Sequence, residues 1–275
     1  MGDEVVWLDG VVVPAAEATV SIFDHGLTVG DGVFETLKAQ DGVPFAARRH
    51  LARLRRSAAA LGLEVPYDDD ELRRAMDAVL APHEGAATRV RITLTGGAAP
   101  LGSARGGAGP TLVIAVGPLR IDIAPAAVCV VPWPRNERGA LAGVKSTSYA
   151  ENVVALAHAQ ARGCSEALFA TTTGLLCEGT GSNVFVAVAG RLLTPPLSSG
   201  CLAGVTRELV LEVTDAAEED IPMDLFARAD EVFLTSTGRD VQPVSRVDER
   251  ELATGPLTRA AVEAFAALSA RHQDP

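Results

Sequence analysis

The chain has 275 residues, 48% of them hydrophobic, and a formal net charge of −11. That is apolar material enough for one large domain or two ordinary ones, and the acidic balance, with no dense Lys/Arg block, excludes a nucleic-acid-binding surface. No basic-then-apolar leader opens the sequence and no apolar run is long enough to span a bilayer. Cys129, Cys164, Cys177 and Cys201 lack CxxC or Cys/His spacing, and none of the five histidines has a metal-ligand partner at helical spacing. The thiols read as reduced, cytoplasmic residues, not zinc ligands or disulfides.

In chain order, residues 5–8 and 11–13 read as a hairpin closed by Asp9-Gly10. Residues 32–39, a turn at 40–42 and Pro44-Phe45 suggest a second hairpin. Leu51, Leu54, Ala58 and Leu61 recur at helical spacing and predict a helix over 49–61, with Arg49, Arg53 and Arg56 between them. A second helix is expected over 71–80, entered through Asp68–Asp70. Strands at 90–94 and 112–116 flank the glycine-rich loop GGAAPLGSARGGAG. Residues 118–125, with prolines at 118 and 125, are the expected linker between a smaller domain over 1–117 and a larger one over 126–275.

The second half mixes the same elements in another order. Strands are expected at 127–131, 166–170, 175–178, 184–188, 192–193 and 232–235, and helices at 149–161, 205–213 and 257–271. Hairpin strands with interspersed helices indicate an α+β chain over a regular βαβ series.

Only two residues are lysine, Lys38 and Lys145, against twenty-two arginines. A desolvated amine loses its proton near neutral pH and attacks carbonyls, which a guanidinium does not. Taken alone, Lys145 is more simply a solvated side chain. Three further stretches bear on it. CEGTGSNVF (177–185) sets Glu178 at the end of an apolar strand, where a carboxylate meets either a surface arginine or a protonated heterocyclic nitrogen. LAGVTRELV (202–210) places Gly204, Val205 and Thr206 at a helix start, whose free N–H groups suit a phosphate or are capped in the ordinary way. FLTSTGRDVQPV (233–244) offers hydroxyls and amides at a strand end, or is a plain Ser/Thr turn. Together an amine, a carboxylate, a helix start and a hydroxyl-rich turn are what pyridoxal 5'-phosphate needs.

With GDGVFETL (30–37), RHLARLRRSAAALGL (49–63), KSTSYAENVVA (145–155) and the three stretches above, the chain resembles the class IV, or fold type IV, pyridoxal-phosphate family over nearly its whole length. That family includes branched-chain and D-amino-acid aminotransferases and 4-amino-4-deoxychorismate lyase. The resemblance implies two α/β domains with the cofactor site in the cleft between them, and a homodimer. It implies that Lys145 forms the internal aldimine and moves the proton, that Glu178 meets the pyridine nitrogen, and that Arg53, Val205, Thr206 and Thr237 hold the phosphate. Tyr149 matches the tyrosine at the phenolic oxygen, although one residue closer to the lysine than in branched-chain enzymes. Phe34 and Glu35 match substrate-pocket positions, and Glu35 either repels carboxylates or binds an amine.

The reaction implied is amino transfer between a small amino acid and a 2-oxo acid. The alternative is release of 4-aminobenzoate and pyruvate from aminodeoxychorismate, and a third reading is a catalytically silent cofactor-binding protein. Thr237-Gly238 matches the transaminase form of its motif, with Gly238 offering an amide to a substrate carboxylate. Leu101 and Ser103 stand where D-amino-acid enzymes carry Arg-x-His. Arg105, in the same loop, is the nearest carboxylate-binding candidate and suits the lyase as well; Arg89 and Arg91 alternate on the strand before it.

Overall fold

The structure, a computed structural model, describes residues 4–83, 85–119 and 124–275. It divides into two compact units. Of the described residues, the first holds those up to 119 together with Val144–Tyr149 and Asp274; the second holds 124–143 and nearly all of the remainder. Residues 120–123 of the expected linker over 118–125 lie outside the described residues.

The first unit runs β1 (Val5–Leu8), β2 (Val11–Pro14), α1 (His25–Thr28), β3 (Gly32–Gln40), β4 (Val43–Pro44), α2 (Ala47–Ala60), α3 (Asp69–Leu80), β5 (Thr88–Thr95) and β6 (Thr111–Pro118). Its sheet has the order β2-β1-β6-β5-β3-β4. Leu8 pairs with Val11 across a two-residue turn in which Asp9 and Gly10 both have positive φ, 46° and 98°. That geometry matches the twist of the flanking strands, and it is why Asp-Gly is read there. In α3, Asp68 and Glu71 form a reciprocal capping box. Alternate residues of β3 and β5 and one stripe each of α2 and α3 close a single core: Val33, Leu37, Leu51, Leu54, Leu72, Met76, Val90, Ile92 and Ile114 are all fully buried.

β4 covers only the far end of β3, through Ala39 and Gln40. The near end takes its partner from far along the chain. Phe34 N–H donates to the Lys145 carbonyl at 2.9 Å, and Thr147 N–H donates to the Gly32 carbonyl at 2.8 Å. Val33 thus bridges Ser146, and a lysine-bearing segment extends the sheet edge. Backbone pairing satisfies donors and acceptors of β3 that burial would otherwise leave open.

The second unit contains β7 (Ala126–Val130), α4 (Ala150–Gln160), β8 (Glu166–Ala170), β9 (Leu176–Gly179), β10 (Asn183–Val188), β11 (Arg191–Thr194), α5 (Val205–Val213), β12 (Ala217–Glu218), α6 (Met223–Phe226), β13 (Glu231–Ser236), β14 (Asp240–Val247), β15 (Arg250–Glu251) and α7 (Pro256–Arg271). The sheet order is β12-β11-β10-β13-β14-β7-β8-β9, with β15 on β14. Parallel pairing of β7 with β8 and of β14 with β7 joins antiparallel hairpins on either side. Phe185 and Phe233, paired across β10 and β13, stack with ring centroids 4.8 Å apart.

β14 is not apparent in the sequence. It carries Pro243 opposite Phe233, and a proline within a run argues against an interior strand. Here an irregularity in register between Val244 and Arg246 follows it. No helix among the described residues is long and apolar enough to cross a membrane.

Candidate active site

In the first unit the chemistry gathers around β3. Successive strand residues point to opposite faces, and Phe34 and Glu35 do so here. Glu35 lies on the α2 side, fully buried. Its carboxylate accepts from Arg53 Nε at 2.6 Å and Arg53 Nη2 at 2.8 Å, and His50 Nδ1 stands 2.7 Å away. Burial opposes ionisation of this carboxyl, but the charge of Arg53 and the hydrogen bonds from Arg53 and His50 outweigh it and hold the pKa well below the ordinary carboxylate range. Burial also pushes the His50 imidazole below its ordinary value against the pull of Glu35, with Arg53 and Lys145 adding to the effect. A neutral ring facing a carboxylate donates from Nδ1. Both oxygens of Glu35 are thereby engaged inside the unit, where they fix the plane of the Arg53 guanidinium.

On the other face, the Lys145 amine stands 4.2 Å from the centre of the Phe34 ring. Its backbone N–H donates to Ser57 Oγ of α2 at 3.3 Å, so the lysine is tied both to β3 and to the helix that carries Arg53. Tyr149 packs edge-on against the same ring, with centroids 5.5 Å apart. The Arg91 guanidinium lies 3.4 Å from the ring centre and donates to Thr93 Oγ1. Cross-strand pairing of Thr36 with Arg91 and of Lys38 with Arg89 sets these cations on one face of the sheet.

Arg105 is committed elsewhere. It donates to both oxygens of Asp31, at 2.7 and 2.6 Å, and to the carbonyls of Leu61 and Gly62. Four of its five N–H donors are thus in use. The hydrogen bond from Arg105 holds the Asp31 carboxyl below its ordinary value. The pair clasps the glycine-rich loop to the residue that precedes β3 and to the end of α2.

In the second unit, Glu178 closes β9. Its Oε2 accepts from Leu202 N–H at 2.8 Å, and Arg135 Nε lies 3.5 Å from Oε1. Arg135 also packs on the Phe169 ring, donates to Asn152 Oδ1 and pairs with Glu151. Asn152 in turn donates to the Thr180 carbonyl at 2.7 Å. Helix α5 begins after Gly204 with no side-chain cap. A Cβ at Gly204 would lie 2.0 Å from Asn183 Oδ1, so only glycine fits where the chain turns into the helix. Val205 and Thr206 open the helix and are buried. Thr237 and Gly238 are half-buried in the turn from β13 to β14, where Arg239 N–H donates to the Ser236 carbonyl. The buried Thr235 hydroxyl beside them lacks a partner.

An uncapped helix start, an orphaned buried hydroxyl and a Ser/Thr turn suit a phosphate monoester, and a carboxylate oriented by the Leu202 amide suits a ring N–H. The donor set therefore fits the group expected from the resemblance. Residues 32–247 match the family model for amino-transferase class IV. The chain belongs to the class IV aminotransferases. It is 30% identical to the D-alanine aminotransferase of Bacillus licheniformis over 270 residues, covering 92% of this chain and 93% of that one. It is 28% identical to the branched-chain-amino-acid aminotransferase of Pseudomonas aeruginosa, over 96% of this chain and 92% of the other. The crystal structure of branched-chain aminotransferase from Thermoproteus uzoniensis with norvaline superposes with a TM-score of 0.92 at 31% identity, covering 97% of this chain and 95% of that one.

The architecture is accordingly fold type IV and the chain is an enzyme that transfers amino groups; the lyase alternative is not favoured. Four residues that shape the site escape notice in the sequence: His50, Arg135, Glu166 and Asn183. A signal exists for two of them. Glu166 is a charged residue opening an apolar strand, and Asn183 is the polar residue at the head of the apolar β10.

Proposed function

We propose that this aminotransferase moves the amino group of a small amino acid to a 2-oxo acid with pyridoxal 5'-phosphate, which Lys145 holds covalently. When bound, the cofactor supplies the electron sink that makes loss of the substrate Cα proton feasible. The observation that carries the reading is the seating of Lys145: its segment is hydrogen-bonded into the edge of β3, and its amine lies over Phe34.

Lys145 carries the proton that the substrate gives up and later regains. Its amine is a nucleophilic nitrogen placed at the Phe34 face, and an amine, unlike a guanidinium, can give up and take back a proton in the course of a reaction. In the first unit Arg53, with its plane set by Glu35, would bind a phosphate; in the second, the amides of Val205 and Thr206 and the hydroxyl of Thr237 are the groups the resemblance gives to the same task. Glu178 keeps the ring nitrogen protonated, and Tyr149 bonds the phenolic oxygen. Arg91 takes the substrate carboxylate beside Phe34, a role supported by the engagement of Arg105 with Asp31; in the second unit, Gly238 keeps the carboxylate-binding amide that the resemblance implies.

The exposed apolar side chains of Val20, Ile22, Phe23, Leu27 and Leu101 support a homodimer. Four buried free thiols support a reducing, cytoplasmic setting. Purified protein should be yellow, lose the colour on borohydride reduction, and convert to the pyridoxamine form when an amino donor is added. A screen of both enantiomers of small amino acids identifies the donor. Failure of every donor to convert the cofactor, with pyruvate released from aminodeoxychorismate and no acceptor present, would sink the transaminase reading.

A further inference from the structure

Glu166 opens β8 and is 1% exposed. It lies in a strand and caps no helix. Its carboxylate instead gathers donors from the turn that follows Glu178. Oε1 accepts from Thr180 N–H at 3.0 Å and from the Thr180 hydroxyl, and also from Ala167 N–H at 3.0 Å. Oε2 accepts from Ser182 Oγ at 3.0 Å and faces Arg239 Nη2 at 3.5 Å. Arg239 also donates to the Ser165 carbonyl and to Gln242 Oε1.

The fit around this carboxylate is close. A Cβ on Gly179 would stand 2.4 Å from Ser182 Oγ and 3.2 Å from Glu166 Cδ, so the chain between Glu178 and Ser182 is wrapped onto the acid. We propose that Glu166 is a positioning residue that holds two separate turns in register: 179–182, which aims Glu178, and 236–240, which carries Thr237. This rests on the reading that Glu178 and Thr237 hold the cofactor.

A single buried anion suits the task because its oxygens together present about four lone-pair sites, all acceptors. A glutamine there would turn an N–H₂ toward either the Thr180 or the Ser182/Arg239 donors. Active-site groups displaced by about 1 Å lose on the order of 100-fold in rate, so a turn released on one side should be felt at Glu178.

The test compares Glu166→Gln with Glu231→Gln as holoenzymes, by pyridoxal 5'-phosphate titration, absorption spectrum against pH, and kcat and KM for the amino donor. Glu231 is a buried carboxylate of another kind, accepting from Leu257 and Thr258 N–H at the start of α7. The expected result for E166Q is roughly tenfold weaker cofactor binding, a shifted pH midpoint of the bound-cofactor band and a kcat at least tenfold lower, in keeping with the positional sensitivity above, with KM little changed. Glu166→Asp, which keeps the charge, should recover part of the loss. E231Q should lower the melting temperature and leave the spectrum alone.

A wild-type spectrum and cofactor affinity in E166Q would overturn the proposal, as would equal spectral effects in both variants. Glu178→Gln and Thr237→Ala separate the two levels of inference. If these impair cofactor binding or turnover and E166Q does not, only the positioning role falls. If none of the three does, the cofactor reading falls with it. Should E166Q fail to fold, Thr180→Val and Ser182→Ala remove its partners and carry the same comparison.

Discussion

Glu35 and Arg53 form a two-point ion pair inside the first unit, Nε to Oε1 at 2.6 Å and Nη2 to Oε2 at 2.8 Å. The acid is wholly buried and the arginine 5% exposed. A pair of this kind orients the guanidinium more than it stabilises the fold, because desolvation offsets much of the attraction. Removing one partner is another matter, since the other is left as an uncompensated buried charge. Glu35→Gln should therefore cost about 3–5 kcal/mol of stability and weaken pyridoxal 5'-phosphate binding. Denaturant unfolding and cofactor titration check both. A variant that binds cofactor normally would mean that Arg53 is not aimed by Glu35.

The same cluster predicts loss of stability in acid, in two stages. The ordinary pKa of histidine is 6.5 and His50 is lowered from it, so below about 6.5 the unfolded chain binds a proton that the folded chain refuses. Stability should start to fall there. Glu35 is depressed from 4.5, and its contribution, fully present above that value, is lost progressively as the pH drops further. Melting temperature measured from pH 8 to pH 2 should thus decline in two stages toward acid, with the upper stage missing in His50→Asn. An upper stage unchanged in that variant would assign it to another group.

These residues also mark the limit of what can be read from sequence. Helix α2 follows from apolar spacing, α3 from its acidic entry, α5 from the start after Gly204 and the β1-β2 hairpin from Asp-Gly, because those signals are local. Lys145 stands out by residue type and Glu178 by its place at a strand end. The partners of Glu35, in contrast, lie 15 and 18 residues away on a helix, and those of Glu166 lie 14, 16 and 73 residues away. No periodicity encodes such pairs; they exist only once strand and helix have packed. Helix α1 is a single turn capped by Asp24, too short for an apolar period, and β14 is masked by Pro243.

Lys145→Ala should abolish turnover without unfolding the chain. The side chain touches the Phe34 face, whereas the segment is held through backbone bonds to Phe34 and Ser57 that alanine retains. Circular dichroism should be unchanged and borohydride should no longer fix the cofactor to the protein. Residual turnover comparable to the parent would refute the assignment.

Arg91 and Arg105 offer a direct comparison. Arg91 lies on the Phe34 ring with one hydrogen bond to Thr93, while Arg105 is taken up by Asp31, Leu61 and Gly62. Loss of a bidentate carboxylate contact is worth about 1.5–3 kcal/mol. Arg91→Ala should raise KM for the amino acid at least tenfold, and Arg105→Ala should chiefly loosen the loop and raise it far less. The opposite ranking in steady-state kinetics would exchange their roles.

Glu178 is flanked by the Leu202 amide at 2.8 Å and Arg135 Nε at 3.5 Å. Arg135 is itself braced by Glu151, Asn152 and the Phe169 ring, so its positive charge is held in place beside the carboxylate. An ionised Glu178 is what keeps a ring nitrogen protonated; a neutral amide does not. Glu178→Gln should lower kcat by a factor of about 100 or more, the scale on which a positioned proton-holding group contributes, while leaving the Leu202 contact in place and the melting temperature near that of the parent. Arg135→Lys should act in the same direction and more weakly, since a lysine keeps the charge but cannot brace against Asn152 and Glu151 with a planar fork. Unchanged kcat in Glu178→Gln would mean that another group faces the ring nitrogen, and an Arg135→Lys effect exceeding it would move the main electrostatic role to the arginine.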